Sequence, residues 1–247
     1  MRSVYFLELG LTDKIAIVTG GTGALGHAVV KALLENGVQV VTVYRSPEKL
    51  QELTNYVSPL KDRLTGIQGD VTDEGSVANL VQKTIERFGR LDILLNIVGG
   101  YMGGNTIAET KLDEFNKMME MNLKSAFLCS RAVLPHMIKQ NYGKIVSISA
   151  RPAVDIRRRA KSGAYAISKT AVKVLTETIA EEVKDLNINV NCVMPGTMKT
   201  EDNIKAFPGA NMSKWVEPND VAKVILFLIS DVSNITSGAA VPVYGKS

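Results

Sequence analysis

Tyr165 and Lys169 stand four residues apart in Tyr-Ala-Ile-Ser-Lys, a spacing that on a helix places a phenol and an ammonium on one face within mutual reach. A cation beside a phenol lowers its pKa from about 10 toward the range in which a general acid or base works. The pair is therefore a candidate for moving a proton at a substrate oxygen. Far upstream, Thr19-Gly20-Gly21-Thr22-Gly23-Ala24-Leu25-Gly26 follows a short apolar run and opens a helical pattern. In that setting backbone N–H groups and the positive end of a helix converge, and glycines admit a pyrophosphate close to the main chain. A turn that needs glycine only for steric reasons is the plainer reading of the same residues.

Three more segments end apolar runs and offer polar groups. In Gly69-Asp70-Val71, the Asp70 carboxylate can accept from an adenine amino group or cap the next helix. Asn96-Ile97-Val98-Gly99-Gly100 again carries glycines that let backbone approach a ligand. Tyr44-Arg45-Ser46 supplies no acid for a free ribose 2′-hydroxyl but two donors for a 2′-phosphate, so NADP(H) is expected ahead of NAD(H).

The elements that must position these groups are legible as alternation. Val- and Ile-rich runs predict strands over Lys14–Thr19, Val38–Tyr44, Arg63–Gly69, Leu91–Ile97, Lys144–Ser149, Asn187–Val193 and Ala239–Val243. Helical periodicity fills the gaps over Ala24–Asn36, Glu48–Tyr56, Glu74–Phe88, Leu112–Lys139 with a break expected at Pro135, Gly163–Lys184 and Asp220–Ile229. Gly37 and Gly89 mark helix ends that want a left-handed residue. Repeated βα units predict an α/β fold: a single Rossmann-type doubly wound domain over 1–247, with a seven-stranded parallel sheet flanked by helices on both faces. No repeat or linker divides the chain, and the irregular stretch 195–218 suits a flap over a binding site.

Composition excludes other classes. The 247 residues are 45% hydrophobic and 22% charged, and the net charge of +4 comes from interspersed signs, so nucleic-acid binding is not implied. The basic run Arg157, Arg158, Arg159 and Lys161 can draw an anionic substrate or simply face solvent. Cys129 and Cys192 sit in apolar stretches as core residues, with no disulfide or metal-ligand spacing. His27 and His136 have no partner in sequence that points to a catalytic or metal role. Met1–Leu9 lacks a full signal sequence and no run is long enough for a membrane span, so a cytoplasmic location without membrane association is expected.

Together these motifs resemble the short-chain dehydrogenase/reductase family from Lys14 to Tyr244. The resemblance maps the family's cofactor contacts onto Gly20, Thr22, Gly23, Ala24, Leu25, Gly26, Arg45, Ser46, Asp70, Val71, Asn96, Val98, Gly99, Tyr165, Lys169, Pro195, Gly196, Thr197 and Met198. It maps the catalytic asparagine onto Asn122 in Met121-Asn122-Leu123-Lys124-Ser125. What it implies is an NADP(H)-dependent oxidoreductase acting on a carbonyl, an alcohol or a conjugated ring. In it Tyr165 exchanges the proton, Lys169 holds the nicotinamide ribose and Asn122 supports a water-linked relay. A homotetramer, or else a homodimer, is also implied, and the two long helices carry apolar stripes on more than one side.

Three departures stand out. Ala24 replaces a usual glycine, though Gly20, Gly23 and Gly26 keep a three-residue spacing, and Ile97 and Val98 replace the usual Asn-Ala. Ala150 occupies the place of the family's catalytic serine; Ser149, one position early, is the candidate catalytic hydroxyl if the strand end bulges or turns, and otherwise faces the other way. Loss of that serine, with Ser149-Ala150-Arg151-Pro152-Ala153, Pro195–Thr200, Asn203 and Ser213-Lys214-Trp215, is similar to dihydropteridine reductase-like members, which reduce a quinonoid ring. Trp215 can stack on a flat substrate or pack within the flap. A cofactor-binding sensor or scaffold without turnover is the alternative of another class.

Overall fold

Apolar side chains alternate across short parallel strands, and this gives the core two halves. In a computed structural model describing residues 8–246, seven strands form one sheet: β1 (Ile15–Thr19), β2 (Gln39–Tyr44), β3 (Leu64–Gln68), β4 (Ile93–Asn96), β5 (Gly143–Ile148), β6 (Ile188–Pro195) and β7 (Ala240–Val243). Ala16, Val18, Val40, Ile93, Leu95, Val146 and Val193 face one side, against Val29 and Leu33 of α1 (Ala24–Glu35) and Val221 and Ile225 of α8 (Pro218–Ile229). Ile17, Val41, Leu94, Ile145 and Val190 face the other. There they meet Leu80 of α3 (Glu74–Phe88), Val133 of α5 (Ser125–Gln140) and Ile179 of α6 (Gly163–Glu182). A sheet covered on both faces explains why its strands read as nearly continuous apolar runs.

The strand order is β3-β2-β1-β4-β5-β6-β7, and every pairing is parallel. The chain winds outward through β2 and β3, then crosses back to place β4 on the other side of β1. At that reversal the connections leave β1 and β4 in opposite directions and open a crevice at the carboxyl edge, the ligand site of such sheets. Helix ends follow the local chemistry. Asp73 caps α3 by accepting from the Ser76 N–H at 2.7 Å, and the helix stops at Gly89 with φ of 73°. Gly37, after α1, has φ of 78°.

The expected strands and helices lie within two residues of their observed bounds, with one exception. The segment Leu112–Lys139 is α4 (Leu112–Met118), a π-helical turn over Met119–Lys124, and α5. Pro135 does not break it: the ring sits inside α5 on the exposed face, where the carbonyl it leaves unbonded faces solvent. The remaining helices are α2 (Pro47–Tyr56) and α7 (Glu201–Ala206), the latter within the expected flap. Among the described residues no helix is long and apolar enough to cross a membrane. Of Met1–Leu9, all but Glu8 and Leu9 lie outside the described residues.

Leu94, fully buried in mid-sheet, should lose about 2–5 kcal/mol of stability on substitution by alanine. Ile235, 99% exposed, should change by less than about 0.5 kcal/mol. Denaturant unfolding of Leu94→Ala and Ile235→Ala checks the contrast.

Candidate active site

The glycine turn is built by close approach. Gly20 has φ of +69°, and a Cβ there would lie 2.9 Å from the Val98 nitrogen. A Cβ on Gly26 would overlap the Gly20 carbonyl and stand 2.6 Å from the Gly21 Cα, so α1 can pack this tightly on the turn only with glycine. Thr19 ties the two sides of the crevice: its hydroxyl donates to the Leu95 carbonyl at 3.2 Å and accepts from the Ile97 N–H at 3.0 Å. Gly23 and Ala24 are exposed at the start of α1 and Thr22 is half-buried, whereas the Leu25 side chain is in the core. No side chain caps α1, so its first turn offers backbone donors to the crevice.

Arg45 and Asp70 meet beyond β2 and β3. The Arg45 side chain is 79% exposed and approaches the Asp70 carboxylate at 3.9 Å. Asp70 does not cap α3, since Asp73 does. Its carboxylate accepts from the Thr72 N–H and hydroxyl, which hold its pKa below the usual range, with Arg45 assisting. Ser46 caps α2 by accepting from the Lys49 N–H at 3.3 Å, and it donates to Glu48 at 2.5 Å. Its hydroxyl is thus engaged within the helix start. Val71 is buried beside this corner and Val98 half-buried in the crevice wall.

Asn96 turns into the molecule: its amide donates to Ser130 and Ser147, each at 3.1 Å, and its buried Oδ1 has no partner among the described residues. Only its backbone is left to line the crevice.

Lys169, Asn122 and Gly99 converge beneath Tyr165. The Lys169 ammonium is buried and donates to the Ile148 carbonyl at 2.8 Å, and burial lowers its pKa to about 8. A Cβ on Gly99 would lie 2.8 Å from that nitrogen and 2.7 Å from Asn122 Oδ1, so glycine keeps a narrow polar cradle open. Asn122 lies in the π-helical turn, a distortion frequent at functional sites. It accepts from the Gly100 N–H at 2.9 Å and donates to the Gly100 carbonyl at 3.1 Å and to Ser168 Oγ at 2.9 Å. Ser168 in turn donates to the Tyr165 carbonyl at 2.8 Å.

The Tyr165 hydroxyl has no hydrogen-bond partner among the described residues, and its ring meets that of Tyr101 edge-on at 5.0 Å. The phenol pKa is raised rather than lowered as expected. Burial dominates, the Tyr101 phenol adds to the rise, and the Lys169 ammonium is turned to a backbone carbonyl.

Ser149 does not face the crevice. It is buried and its hydroxyl donates to the Lys169 carbonyl at 2.8 Å, as strand alternation requires, while Ala150 follows with no polar group. Pro195 ends β6, and the Gly196 N–H donates to the Val243 carbonyl at 2.9 Å. Thr197 and Met198 start the flap, which closes on itself where Met198 bridges Val216 and Lys199 pairs with Glu217 at 2.9 Å. Trp215 packs edge-on against Phe207 at 6.4 Å within the flap.

Half of the basic run shapes its own loop: Arg157 pairs with Asp155 at 3.0 Å, and Arg159 donates to the Pro152 and Ala153 carbonyls. Both cysteines are buried, their thiols pushed up by burial to about 12 for Cys129 and about 11 for Cys192. No group of three or more His, Cys, Asp or Glu among the described residues could hold a metal ion. His27 contacts the Gly23 carbonyl at 2.9 Å and the edge of Tyr56. Sequence reasoning missed Tyr101, whose one signal is an aromatic directly after the glycine pair, and the roles of Ser168 and of the Gly100 backbone.

The family model described as short chain dehydrogenase matches residues 14–210. An uncharacterized oxidoreductase of Staphylococcus aureus (strain USA300) is 30% identical over 225 residues, covering 91% of this chain and 94% of that protein. Among solved structures, ElxO with NADP bound has a TM-score of 0.89 and 32% identity, over 95% of this chain and 98% of ElxO. L-sorbose reductase from Gluconobacter frateurii, complexed with NADPH and L-sorbose, has a TM-score of 0.89 and 25% identity, over 97% of this chain and 98% of the reductase. The motif spacing, the sheet order and these matches agree: the chain belongs to the short-chain dehydrogenase/reductase family of oxidoreductases.

Proposed function

We propose that this protein uses NADP(H) to interconvert a carbonyl and an alcohol, with Tyr165 as the acid and base at the substrate oxygen. The observation that carries the reading is the convergence of Tyr165, Lys169, Asn122 and Gly99 beside the crevice whose opposite wall is the glycine turn. The cofactor fits what is there. The Gly20–Gly26 turn and the uncapped start of α1 are shaped for a pyrophosphate, the Gly99 cradle admits a ribose beside Lys169, and the exposed Arg45, 3.9 Å from Asp70, has room to turn to a 2′-phosphate. NADP or NADPH bound to ElxO and to L-sorbose reductase supports the same preference. When bound, the reduced cofactor supplies a hydride to the carbonyl carbon.

The chain's own part is the proton. Tyr165 keeps its proton at neutral pH as any phenol does, and desolvation strengthens that hold, so it acts as donor in the reducing direction. Asn122 holds the Gly100 backbone and, through Ser168, the first turn of α6, which fixes Tyr165 over the cradle. The missing hydroxyl at position 150 favours a second reading, reduction of a quinonoid ring as in dihydropteridine reductase-like members, since a ring imine needs less help at an oxygen. Exposed Phe127, Ile167 and Val174 on α5 and α6 support assembly through that face as a homotetramer or homodimer.

Oxidation of NADPH should be followed with 9,10-phenanthrenequinone, 2,3-butanedione and a quinonoid dihydropterin. The wild type should turn over at least one, and Tyr165→Phe should lose about 10²-fold or more in kcat. Cofactor binding without oxidation of any of the three would favour the sensor reading, and undiminished turnover in Tyr165→Phe would remove Tyr165 from catalysis.

Arg45→Asp should move preference from NADPH toward NADH, and an unchanged kcat/KM ratio for the two would exclude Arg45 from the site. A third outcome concerns Lys169, whose pKa is near 8 folded against 10.5 in the free side chain. Between those values the unfolded chain holds more protons at this side chain, so its contribution to stability rises with pH there. Melting of wild type and Lys169→Met from pH 7 to 10.5 should therefore show their difference shifting in favour of wild type above pH 8, and a constant difference would contradict the buried ammonium.

A further inference from the structure

The site lacks the serine hydroxyl that would stand beside Tyr165, and the neighbouring serines are committed elsewhere. Position 150 is alanine, Ser149 donates to the Lys169 carbonyl, Ser162 to the carbonyls of Arg158 and Arg159, and Ser168 to the Tyr165 carbonyl. Thr170 donates to the Ala166 carbonyl at 2.7 Å, and both ends of the Asn122 amide are used. The Tyr101 hydroxyl, like that of Tyr165, makes no hydrogen bond with the described residues.

Tyr101 is also held in place. On one side, Gly100 is clamped by both ends of the Asn122 amide. On the other, the Gly104 N–H donates to the Lys161 carbonyl at 2.7 Å, and a Cβ on Gly103 would collide with the Tyr101 hydroxyl and stand 2.8 Å from that carbonyl. Between these anchors Tyr101 is 55% exposed, and its ring meets that of Tyr165 edge-on at an interplanar angle of 77°.

We propose that Tyr101 is a second catalytic phenol, whose hydroxyl donates a hydrogen bond to the substrate oxygen that Tyr165 protonates, in place of the absent serine. The inference rests on the proposed function. A phenol is a stronger hydrogen-bond donor than an aliphatic hydroxyl, so it suits a growing negative charge on oxygen. Proton transfer stays with Tyr165. Tyr101 keeps its own proton and forms no covalent bond to the substrate.

Tyr101→Phe removes the hydroxyl and keeps the ring packing, and Ala150→Ser restores the serine. With NADPH and each compound of the carbonyl and quinonoid panel that the wild type reduces, Tyr101→Phe should lose about 10²-fold in kcat with little change in the KM for NADPH or in melting temperature. Ala150→Ser should recover much of that loss in the Tyr101→Phe background and add little to the wild type. Unchanged kcat in Tyr101→Phe overturns the inference, and so does a loss that Ala150→Ser leaves unaltered. Tyr165→Phe separates the two failures. If it abolishes turnover while Tyr101→Phe does not, only the role of Tyr101 falls. If it turns over normally, or the wild type reduces nothing, the proposed function falls and takes this inference with it.

Discussion

Seven parallel strands must all end on the same edge, and the winding reverses between β1 and β4; every feature of the site depends on that geometry. Parallel strands need crossover connections, so the carboxyl end of every strand before β7 is followed by a loop that starts a helix or a helical turn. The glycine turn, Arg45, Asp70, Gly99, Ala150 and Gly196 are distant in sequence, yet each follows the end of a strand. Thr19, the last residue of β1, fixes the separation of the two central ends by bonding two backbone groups at the end of β4. The same sheet provides the Ile148 carbonyl that receives the Lys169 ammonium, so a buried cation is held by backbone that cannot move independently of the core.

That anchoring explains how hydroxyls are distributed around the site. Ser149 and Ser168 secure the backbone of α6 near Lys169 and Tyr165, and Asn122 secures Gly100 across the cradle. Groups that hold the frame are unavailable to a substrate. The two phenols of Tyr101 and Tyr165 remain, one exposed and one low in the crevice, touching edge to face.

Much of this was legible in the sequence, and for physical reasons. Buried parallel strands force continuous Val and Ile runs, and the turn at Gly20–Gly26 tolerates no side chain at its tightest points, so both leave unambiguous traces. The inward orientation of Ser149 followed from the two-residue period of a strand. Features set by tertiary contact left no comparable trace. The π-helical turn at Met119–Lys124 has ordinary helix-forming residues, and Pro135 looked like a break because exposure on one face of α5 is not visible locally. The phenol pKa was misjudged for the same reason: spacing shows that Lys169 lies one turn from Tyr165, not that its ammonium is turned to the Ile148 carbonyl.

The most direct test of the account is a crystal structure of the protein with NADPH bound. The pyrophosphate should lie on the Gly20–Gly26 turn, the Lys169 nitrogen within hydrogen-bond distance of the nicotinamide ribose, and the Tyr165 hydroxyl against the reactive face of the ring. A phenol and an ammonium both remote from the nicotinamide would contradict it.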